Sequence, residues 1–313
     1  MVSGCTGIQS ALDPAGREAE QVAALFWTML VGGAAIWAVV IAAMAYAMRQ
    51  RRGSLRESTA SGLVLWGGAA FPAATLFVLL AFALWLMPNL RPWSDAAGAG
   101  GLRIEVTGKQ FWWQVVYHPS DGSPVVAANE VRLPVGERVE FVLKSDDVIH
   151  SFWIPSLGGK MDMIPGRTNR LALVATKAGI YRGPCTEFCG TSHALMAFPA
   201  IAMEPAAFRQ WLSTKAQRSR GATEEGLRLF LLNGCGACHR IAGTEAAGAI
   251  GPDLSHVGSR LTVGAGILPN TEETLARFIA EPDAIKPGVK MPAFGMLPPG
   301  DIRAIAAYLK GLE

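Results

Sequence analysis

The hydrophobic and polar positions of the chain predict first a pair of membrane-spanning helices. Val22–Met48 and Leu63–Met87 contain no charged residue, and each exceeds the stretch of about 20 apolar residues that a helix needs to cross a bilayer. Pro72 lies inside the second run, where a membrane helix tolerates it with a kink. The connector Arg49–Ser58 carries four arginines, so the positive-inside rule places it in the cytoplasm and both chain termini on the outer face.

Short strand-like runs after the glycine-rich segment Gly98–Gly101 predict an all-β sandwich or barrel that ends near Trp211. Turn signals such as Asp121-Gly122 separate these runs. The predicted strands are Leu102–Thr107, Phe111–Tyr117, Arg138–Leu143, Ser151–Ile154, Leu171–Val174 and Ala200–Met203.

The last part of the chain changes to a helical pattern. Ser213–Arg220 is polar and basic, as expected of a linker. Thr223 and two glutamates open a helix that reaches about Asn233, and apolar residues at helical spacing between Ile302 and Leu312 predict a final helix. About 90 residues of short helices and turns cannot build a large core alone, which predicts a buried prosthetic group.

The chain has few charged residues for its length. The chain has 313 residues, of which 50% are hydrophobic and only 17% charged, and its net charge is +3. This excludes a disordered protein, a coiled coil and a nucleic-acid-binding arm, and the small net charge indicates no polyanionic partner. The deficit of charge lies in the two uncharged runs. We therefore expect a membrane protein with two exported domains and no nucleic-acid partner.

The N-terminal Val2-Ser3-Gly4-Cys5 is similar to the end of a lipoprotein signal, in which the cysteine becomes the lipidated first residue. No apolar stretch precedes it in the sequence, so as written it does not form a signal peptide. Lipidation of Cys5 and a free cysteine in a frayed terminus stay open as alternatives.

The other four cysteines form two close pairs, which is typical of metal or cofactor sites rather than of a disulfide framework. The first pair belongs to a series that reads His150, Cys185, Cys189, His193 and Met196. Thiolate and thioether together favour copper. Two thiolates that bridge two copper ions, with one imidazole on each, would form a compact binuclear site. Met196 and the carbonyl of Glu187 would be weak axial ligands. A blue-copper site with one cysteine, a structural zinc and a disulfide stay open as alternatives.

The second pair lies in Cys235-Gly236-Ala237-Cys238-His239, the C-x-x-C-H signal for attachment of c-type haem. Its two thiols add to the haem vinyl groups, and the adjacent histidine ligates the iron. The motif lies in an exported domain that also has a methionine near its end, a possible second iron ligand. A chance occurrence of the motif is therefore less expected.

Four longer motifs accompany the cysteine pairs. They are Gln110-Phe111-Trp112-Trp113, 147–153 (DVIHSFW), 165–169 (PGRTN) and 185–196 (CTEFCGTSHALM). With the helical hairpin and the β domain, they closely resemble subunit II of haem–copper cytochrome c oxidase, from the first helix to about Trp211. The last domain resembles class I cytochromes c. As a fusion, the chain resembles the caa-type oxidases.

The resemblance implies three structural parts. These are a two-helix transmembrane hairpin, an all-β cupredoxin-like Greek-key domain and a small all-α cytochrome c domain. The implied boundaries are 1–21 for an N-terminal segment with a lipoprotein-like start, 22–88 for the hairpin, 89–212 for the copper A domain, 213–221 for a linker and 222–313 for the cytochrome c domain.

For the β domain, the resemblance implies a binuclear copper A centre with two copper ions. Its ligands would be His150, Cys185, the carbonyl of Glu187, Cys189, His193 and Met196. In the family the side chain of the matching glutamate also reaches a magnesium ion at the interface with subunit I. The resemblance therefore gives Glu187 a second role.

For the last domain, the resemblance implies one covalently bound haem c. Its thioether bonds would go to Cys235 and Cys238, and its iron ligands would be His239 and Met291. Met296 is the alternative sixth ligand. The carbonyl of Pro252 would orient the ligand histidine, and a methionine ligand would raise the haem potential.

Two positions depart from the family pattern. The family usually has tryptophan where Phe111 stands, and that tryptophan receives electrons from a separate cytochrome c. Trp112 and Trp113 are adjacent aromatic candidates for this route. Many members also carry a glutamate near the start of the second helix that feeds a proton channel, and Leu63–Leu65 offers none. A cytochrome c domain fused to the chain is an electron donor at high effective concentration, which would explain why phenylalanine is tolerated at position 111.

The resemblance implies that electrons enter a terminal oxidase through this subunit. They would pass from an upstream donor, cytochrome c or a quinol–cytochrome c reductase complex, to haem c, then to copper A, and then to haem in subunit I. There oxygen is reduced to water with proton pumping, so this chain itself contributes no catalytic residue.

The implied partners are subunits I and III. The implied location is a bacterial inner membrane, with a multi-pass chain whose termini, copper domain and haem domain lie on the periplasmic face. Two other functions stay open. One is the electron-transfer subunit of a copper A-containing nitric oxide reductase, and the other is a non-redox metal-handling membrane protein.

Overall fold

The computed structural model describes residues 5–49, 56–90, 101–120, 122–217 and 223–313. Four sequence features therefore lie wholly or mostly outside the described residues: 2–4 before Cys5, the connector 50–55, the segment 98–100 and the linker residues 218–220. The chain forms two compact units. One consists of residues 21–94, and the other of the residues up to 20 together with those from 95 onward.

The unit of residues 21–94 is helical. By length and composition, Arg17–Arg49 and Glu57–Met87 are both able to cross a membrane. The helical elements are α1 (Arg17–Arg49), α2 (Glu57–Leu63), a π-helical stretch (Val64–Ala70) and α3 (Phe71–Leu90). The kink expected at Pro72 takes the form of the π-helical stretch, a helix of wider turns that ends at Ala70, two residues before the proline. Proline has no N–H for the carbonyl four residues earlier, and that residue, Gly68, lies inside the wide stretch.

The first helix begins at Arg17, five residues before the predicted start, because the chain ahead of the apolar run is anchored on the β domain. Ala15 donates its N–H to the carbonyl of Ser156 at 2.7 Å and accepts from the N–H of Thr176 at 2.7 Å. The Glu18 carboxylate accepts the N–H of Val174 at 2.9 Å. In the described range, the segment before the membrane helix is therefore packed onto the β domain rather than frayed.

The all-β domain consists of two main sheets around one apolar core. The five-stranded sheet has the order β3-β2-β1-β5-β8, and the three-stranded sheet has the order β4-β10-β9. A short β6-β7 pair lies beside them. The strands are β1 (Leu102–Lys109), β2 (Trp112–His118), β3 (Val125–Ala128), β4 (Val131–Pro134), β5 (Arg138–Ser145), β6 (His150–Phe152), β7 (Met161–Met163), β8 (Asn169–Val174), β9 (Gly179–Pro184) and β10 (Ala197–Met203).

This arrangement confirms the predicted β domain and adds four strands, β3, β4, β7 and β9, that were not predicted. These strands are short, and their patterns of burial do not alternate regularly. Strand β2 begins at Trp112, so Phe111 lies in the preceding turn instead of in the strand. Large aromatic side chains fill the core, and Trp113, Phe141, Phe152 and Phe198 are fully buried.

Helix α4 (Pro205–Lys215) follows the last strand of the β domain. It was not predicted, and it includes 213–215, the first three residues of the predicted linker. From Thr223 onward helices are the main regular elements, as predicted. The C-terminal domain contains α5 (Glu224–Leu232), α6 (Glu272–Ala280), α7 (Pro282–Ile285), α8 (Pro299–Lys310) and a hairpin of β11 (Thr262–Val263) and β12 (Leu268–Pro269). Its first and last helices meet where a Cβ at Gly226 would lie 2.3 Å from Cβ of Tyr308, so only glycine permits this contact. The fold class predicted for the chain is thus confirmed.

Candidate metal centre and haem site

The proposed copper ligands come from the ends of three strands. His150 begins β6, Cys185 directly follows β9, and Met196 directly precedes β10. The loop between β9 and β10 carries Cys189 and His193 as well. Because β9 and β10 are paired antiparallel, with Pro184 opposite Ala197, this loop must return to its starting point. The sheet therefore brings ligands that are widely spaced in sequence to one place.

Six donor groups converge there. The two thiol sulfurs, Cys185 Sγ and Cys189 Sγ, lie 4.0 Å apart. His150 Nδ1 lies 3.8 Å from Cys185 Sγ, and His193 Nδ1 lies 3.6 Å from Cys189 Sγ, so each thiol has one imidazole. Met196 Sδ lies 3.9 Å from Cys189 Sγ, and the carbonyl oxygen of Glu187 lies 3.3 Å from Cys185 Sγ. The donor set is thus arranged symmetrically about the pair of sulfurs.

The chemistry of the two thiols fits a site for cations. The pKa of Cys185 is lowered to about 4, first because the Cys189 thiol donates to its thiolate. The pKa of Cys189 is raised, because a second negative charge would lie beside the first. Two thiolates at this separation need positive charge between them, which bound metal cations would supply. A disulfide needs sulfurs about 2.05 Å apart, and both cysteines are free and buried.

The orientation of His150 is fixed by a residue to which the sequence alone gave no role. Nε2 of His150 pairs with Oδ1 of Asp147 at 2.8 Å, which leaves Nδ1 directed at Cys185. Burial raises the pKa of Asp147, but the Gln110 N–H and the His150 ring more than offset this, and the pKa is lowered overall. Gln110 also donates from Nε2 to the carbonyl of Cys189 at 2.6 Å. A carboxylate that holds the second nitrogen of a ligand histidine is common around metal sites.

The remaining ligand candidates differ in their exposure. Met196 is buried, whereas His193 and Glu187 are half-buried. Beside them Phe188 is 76% exposed, and its ring lies 5.7 Å from that of His193. The site therefore has a closed side toward the core and an apolar, open side at Phe188.

The C-x-x-C-H motif forms a compact turn that prepares its histidine for a metal. Cys235–Ala237 is a single 3-10 turn, and His239 donates its N–H to the carbonyl of Cys235 at 3.0 Å. Nδ1 of His239 lies 2.8 Å from the carbonyl oxygen of Pro252, so this nitrogen carries the proton and Nε2 is left as the metal-binding atom. Burial lowers the pKa of His239, which keeps the ring neutral at pH 7.

The two methionine candidates for the opposite side of the haem differ in their surroundings. Met291, Cys235 and Phe294 all pack against the apolar core of the C-terminal domain. Met296 is 78% exposed. Cys235, His239 and Met291 fit a haem, because a haem held by these three residues would complete the apolar core against which Cys235 and Met291 pack.

The aromatic candidates for receiving electrons from a separate donor are mostly covered. Phe111 is 4% exposed, and Trp113 is fully buried against Phe152 and Phe198. Only Trp112 is half-buried, and the ammonium of Lys109 lies 5.3 Å from the centre of its ring. The role of these three aromatics stays a prediction.

Comparison with known proteins gives two family matches. Residues 123–203 match the family described as cytochrome c oxidase subunit II, periplasmic domain, and residues 223–313 match the cytochrome c family. The chain is 40% identical over 220 residues to cytochrome c oxidase subunit 2 of Alkalihalophilus pseudofirmus, a match that covers 69% of this chain and 63% of that protein. The chain thus spans less than two thirds of that relative's length.

Two further similarities cover a smaller share of the chain. It is 32% identical over 162 residues to cytochrome c oxidase subunit 2 of Lycodon semicarinatus, a match that covers 46% of this chain and 71% of that protein. The periplasmic domain of subunit II of cytochrome oxidase from Bradyrhizobium japonicum is 32% identical, covering 37% of this chain and 94% of that one, with a TM-score of 0.35.

Proposed function

Since the chain belongs to the cytochrome c oxidase subunit II family and carries a cytochrome c domain at its C-terminus, we propose that electrons enter a terminal oxidase through it. When bound, copper A and haem c supply one-electron redox chemistry, which would pass electrons from the upstream donor toward haem in subunit I. Oxygen reduction and proton pumping would take place in that subunit.

One observation supports this proposal most strongly. Two cysteines, two histidines and a methionine converge so that each thiol has its own imidazole, with sulfurs 4.0 Å apart. A structural zinc would use four donors and leave Met196 without a role. A blue-copper site would use one cysteine and leave the other buried thiol idle. A pair of copper ions would use all of the donors, with both Cys185 and Cys189 among the residues that hold it.

The residues of the chain would act by holding ligands in fixed positions. The Asp147 carboxylate accepts the proton on Nε2 of His150, which leaves Nδ1, directed at Cys185, free to hold a metal ion. Gln110 holds the backbone at Cys189. In the C-terminal domain Pro252 does for His239 what Asp147 does for His150. Rigid ligands suit electron transfer, because little reorganisation then accompanies a change of charge.

The membrane and the partner subunits belong to the same proposal. Two helices long enough to span a bilayer precede the copper domain, and we propose that this domain and the cytochrome c domain lie on the periplasmic side of a bacterial inner membrane. The open apolar rim of the copper site, with exposed Phe188 and Ile149, would dock on subunit I. Glu187 would reach magnesium there, and subunit III would complete the complex. Lipidation of exposed Cys5 stays a prediction.

The test is to purify the intact oxidase complex and to measure oxygen uptake with a reduced donor, alongside copper and haem contents. We expect two copper ions and one haem c for each copy of this chain. Cys189→Ser should abolish both the paired copper and oxygen uptake, and haem c should remain. The matched control Cys5→Ser should leave all three values unchanged. Wild-type complex that consumes nitric oxide but not oxygen would contradict the proposal.

A further inference from the structure

The cytochrome c domain contacts the proposed copper loop at the residues that flank its last two ligands. On one side, Ser192 donates from Oγ to the carbonyl of Pro287 at 2.6 Å. On the other side, Ala197 donates its N–H to the carbonyl of Ala265 at 3.0 Å. These two contacts lie immediately before His193 and immediately after Met196.

The two contacting segments of the cytochrome c domain are shaped for this surface. In the first, Gly264, Ala265 and Gly266 all have left-handed backbones, with φ of +67°, +64° and +86°. Ala265 is fully buried although a left-handed backbone is unfavourable for alanine. The second segment, Lys286–Gly288, is only three residues from the proposed haem ligand Met291. It therefore connects the copper loop with the haem site along the chain.

A buried lysine joins these two segments. Lys286 is 2% exposed, and its Nζ donates to the carbonyl of Gly264 at 2.6 Å. Lysine is almost never fully buried without a partner. Burial lowers its pKa to about 7, and a negative charge on Cys189 would oppose that shift. A lysine in such a costly position needs a structural or functional reason.

We propose that Lys286 is a positioning residue that ties the 264–266 loop to the 286–288 segment and thereby fixes the cytochrome c domain on the copper loop. The proposal depends on the proposed function only in so far as that loop binds copper. If Lys286 has this role, the distance between the proposed copper site and the proposed haem site is set by the contact beside His193 and Met196 and not by the linker.

The test uses the full chain in lipid nanodiscs, loaded with copper and haem, and follows amide hydrogen exchange. The key probe is the Ala197 N–H, whose acceptor lies in the other domain. In Lys286→Met, which keeps the aliphatic stem, this amide should exchange at least about tenfold faster, as expected when a buried charge-assisted hydrogen bond is lost. The control Arg303→Met removes a positive charge from an exposed position of the same domain and should leave the rate unchanged.

Amides bonded within each domain report whether the fold is intact. These are Gly258 N–H, which donates to Leu312, and Asn129 N–H, which donates to Trp113. If both stay protected in Lys286→Met while Ala197 keeps its wild-type rate, the proposal is wrong. If Lys286→Met loses both, Lys286→Gln decides instead, because it removes the ammonium and shortens the side chain while keeping a polar end. Faster exchange at Ala197 in that variant supports the proposal, and an unchanged rate overturns it.

The outcome is independent of the electron-transfer function. Copper and haem contents and oxygen uptake test that function, whereas exchange at Ala197 tests only the contact between the domains. A chain that binds no copper pair but loses Ala197 protection in Lys286→Met would refute the function and support the positioning role.

Discussion

Gly288 of the cytochrome c domain lies against the ring of Phe111 in the β domain. A Cβ at Gly288 would lie 3.6 Å from Cε2 of Phe111 and equally far from Cβ of Thr191. The cytochrome c domain therefore covers Phe111, the aromatic side chain that the resemblance suggests as an entry point for electrons from a separate donor. This contact gives a physical reason for phenylalanine at a position where the family usually has the larger tryptophan.

The first prediction concerns this contact. Phe111→Trp should destabilise the loaded chain by about 1–3 kcal/mol, because extra atoms enter a packed site. It should not raise turnover with the fused haem. Thermal unfolding and oxygen uptake check these two results. Phe188→Trp makes the same change at a position that is 76% exposed, and it should leave the unfolding temperature of the isolated chain unchanged. A several-fold gain in turnover for Phe111→Trp would contradict the explanation.

The second prediction separates the two methionines. Met291→His should lower the midpoint potential of haem c by on the order of tens to hundreds of millivolts, because a thioether ligand stabilises the reduced iron more than an imidazole does. Met296→Leu should leave the potential unchanged, since Met296 is 78% exposed. Redox titration of the haem absorption in both variants makes the comparison. The opposite pattern would identify Met296 as the ligand.

The third prediction tests the close packing behind the haem histidine. A Cβ at Gly251 would lie 2.5 Å from Cε1 of His239, so Gly251→Ala must displace the ring. We expect part of the haem iron to lose its histidine ligand and become high-spin, which absorption and magnetic circular dichroism detect. Gly300→Ala is the matched control, because a Cβ there meets nothing within 4 Å. Fully low-spin haem in Gly251→Ala would show that His239 is not held as the structure indicates.

The fourth prediction concerns Asp147. Asp147→Ala should weaken copper retention about 10- to 100-fold, because His150 loses the group that fixes its ring. The copper content after dialysis against a chelator measures this effect. The adjacent Asp146→Ala is the control, since Asp146 is 56% exposed and pairs only with Lys109 among the described ion pairs. Equal copper loss in both variants would remove the orienting role of Asp147.

The sequence predicts which proposed ligands lie close together within each motif, and the reason is physical. Cys185 to Met196 and Cys235 to His239 are short segments, so their spacing in sequence largely determines their spacing in the fold. The helical spans are equally local, because twenty apolar residues in a row need no other part of the chain to be recognised.

What the sequence does not predict depends on contacts between distant segments. The Asp147 carboxylate that pairs with His150 is held in place by the N–H of Gln110, 37 positions away. The anchoring of Glu18 on Val174 joins residues 156 positions apart. The burial of Lys286 requires the cytochrome c domain to be seated on the copper loop, and lysine in a polar segment gives no sign of that in sequence. Each of these features arises only from tertiary packing.

The central claim is that this chain holds a pair of copper ions that share one electron, together with one haem c. Electron paramagnetic resonance of the purified, oxidised full chain, with copper and haem quantified on the same sample, tests it most directly. The account predicts two copper ions and one haem per chain, and a copper hyperfine pattern from an electron shared equally by two nuclei. A single copper ion with the hyperfine pattern of one nucleus, or zinc in its place, would contradict the account.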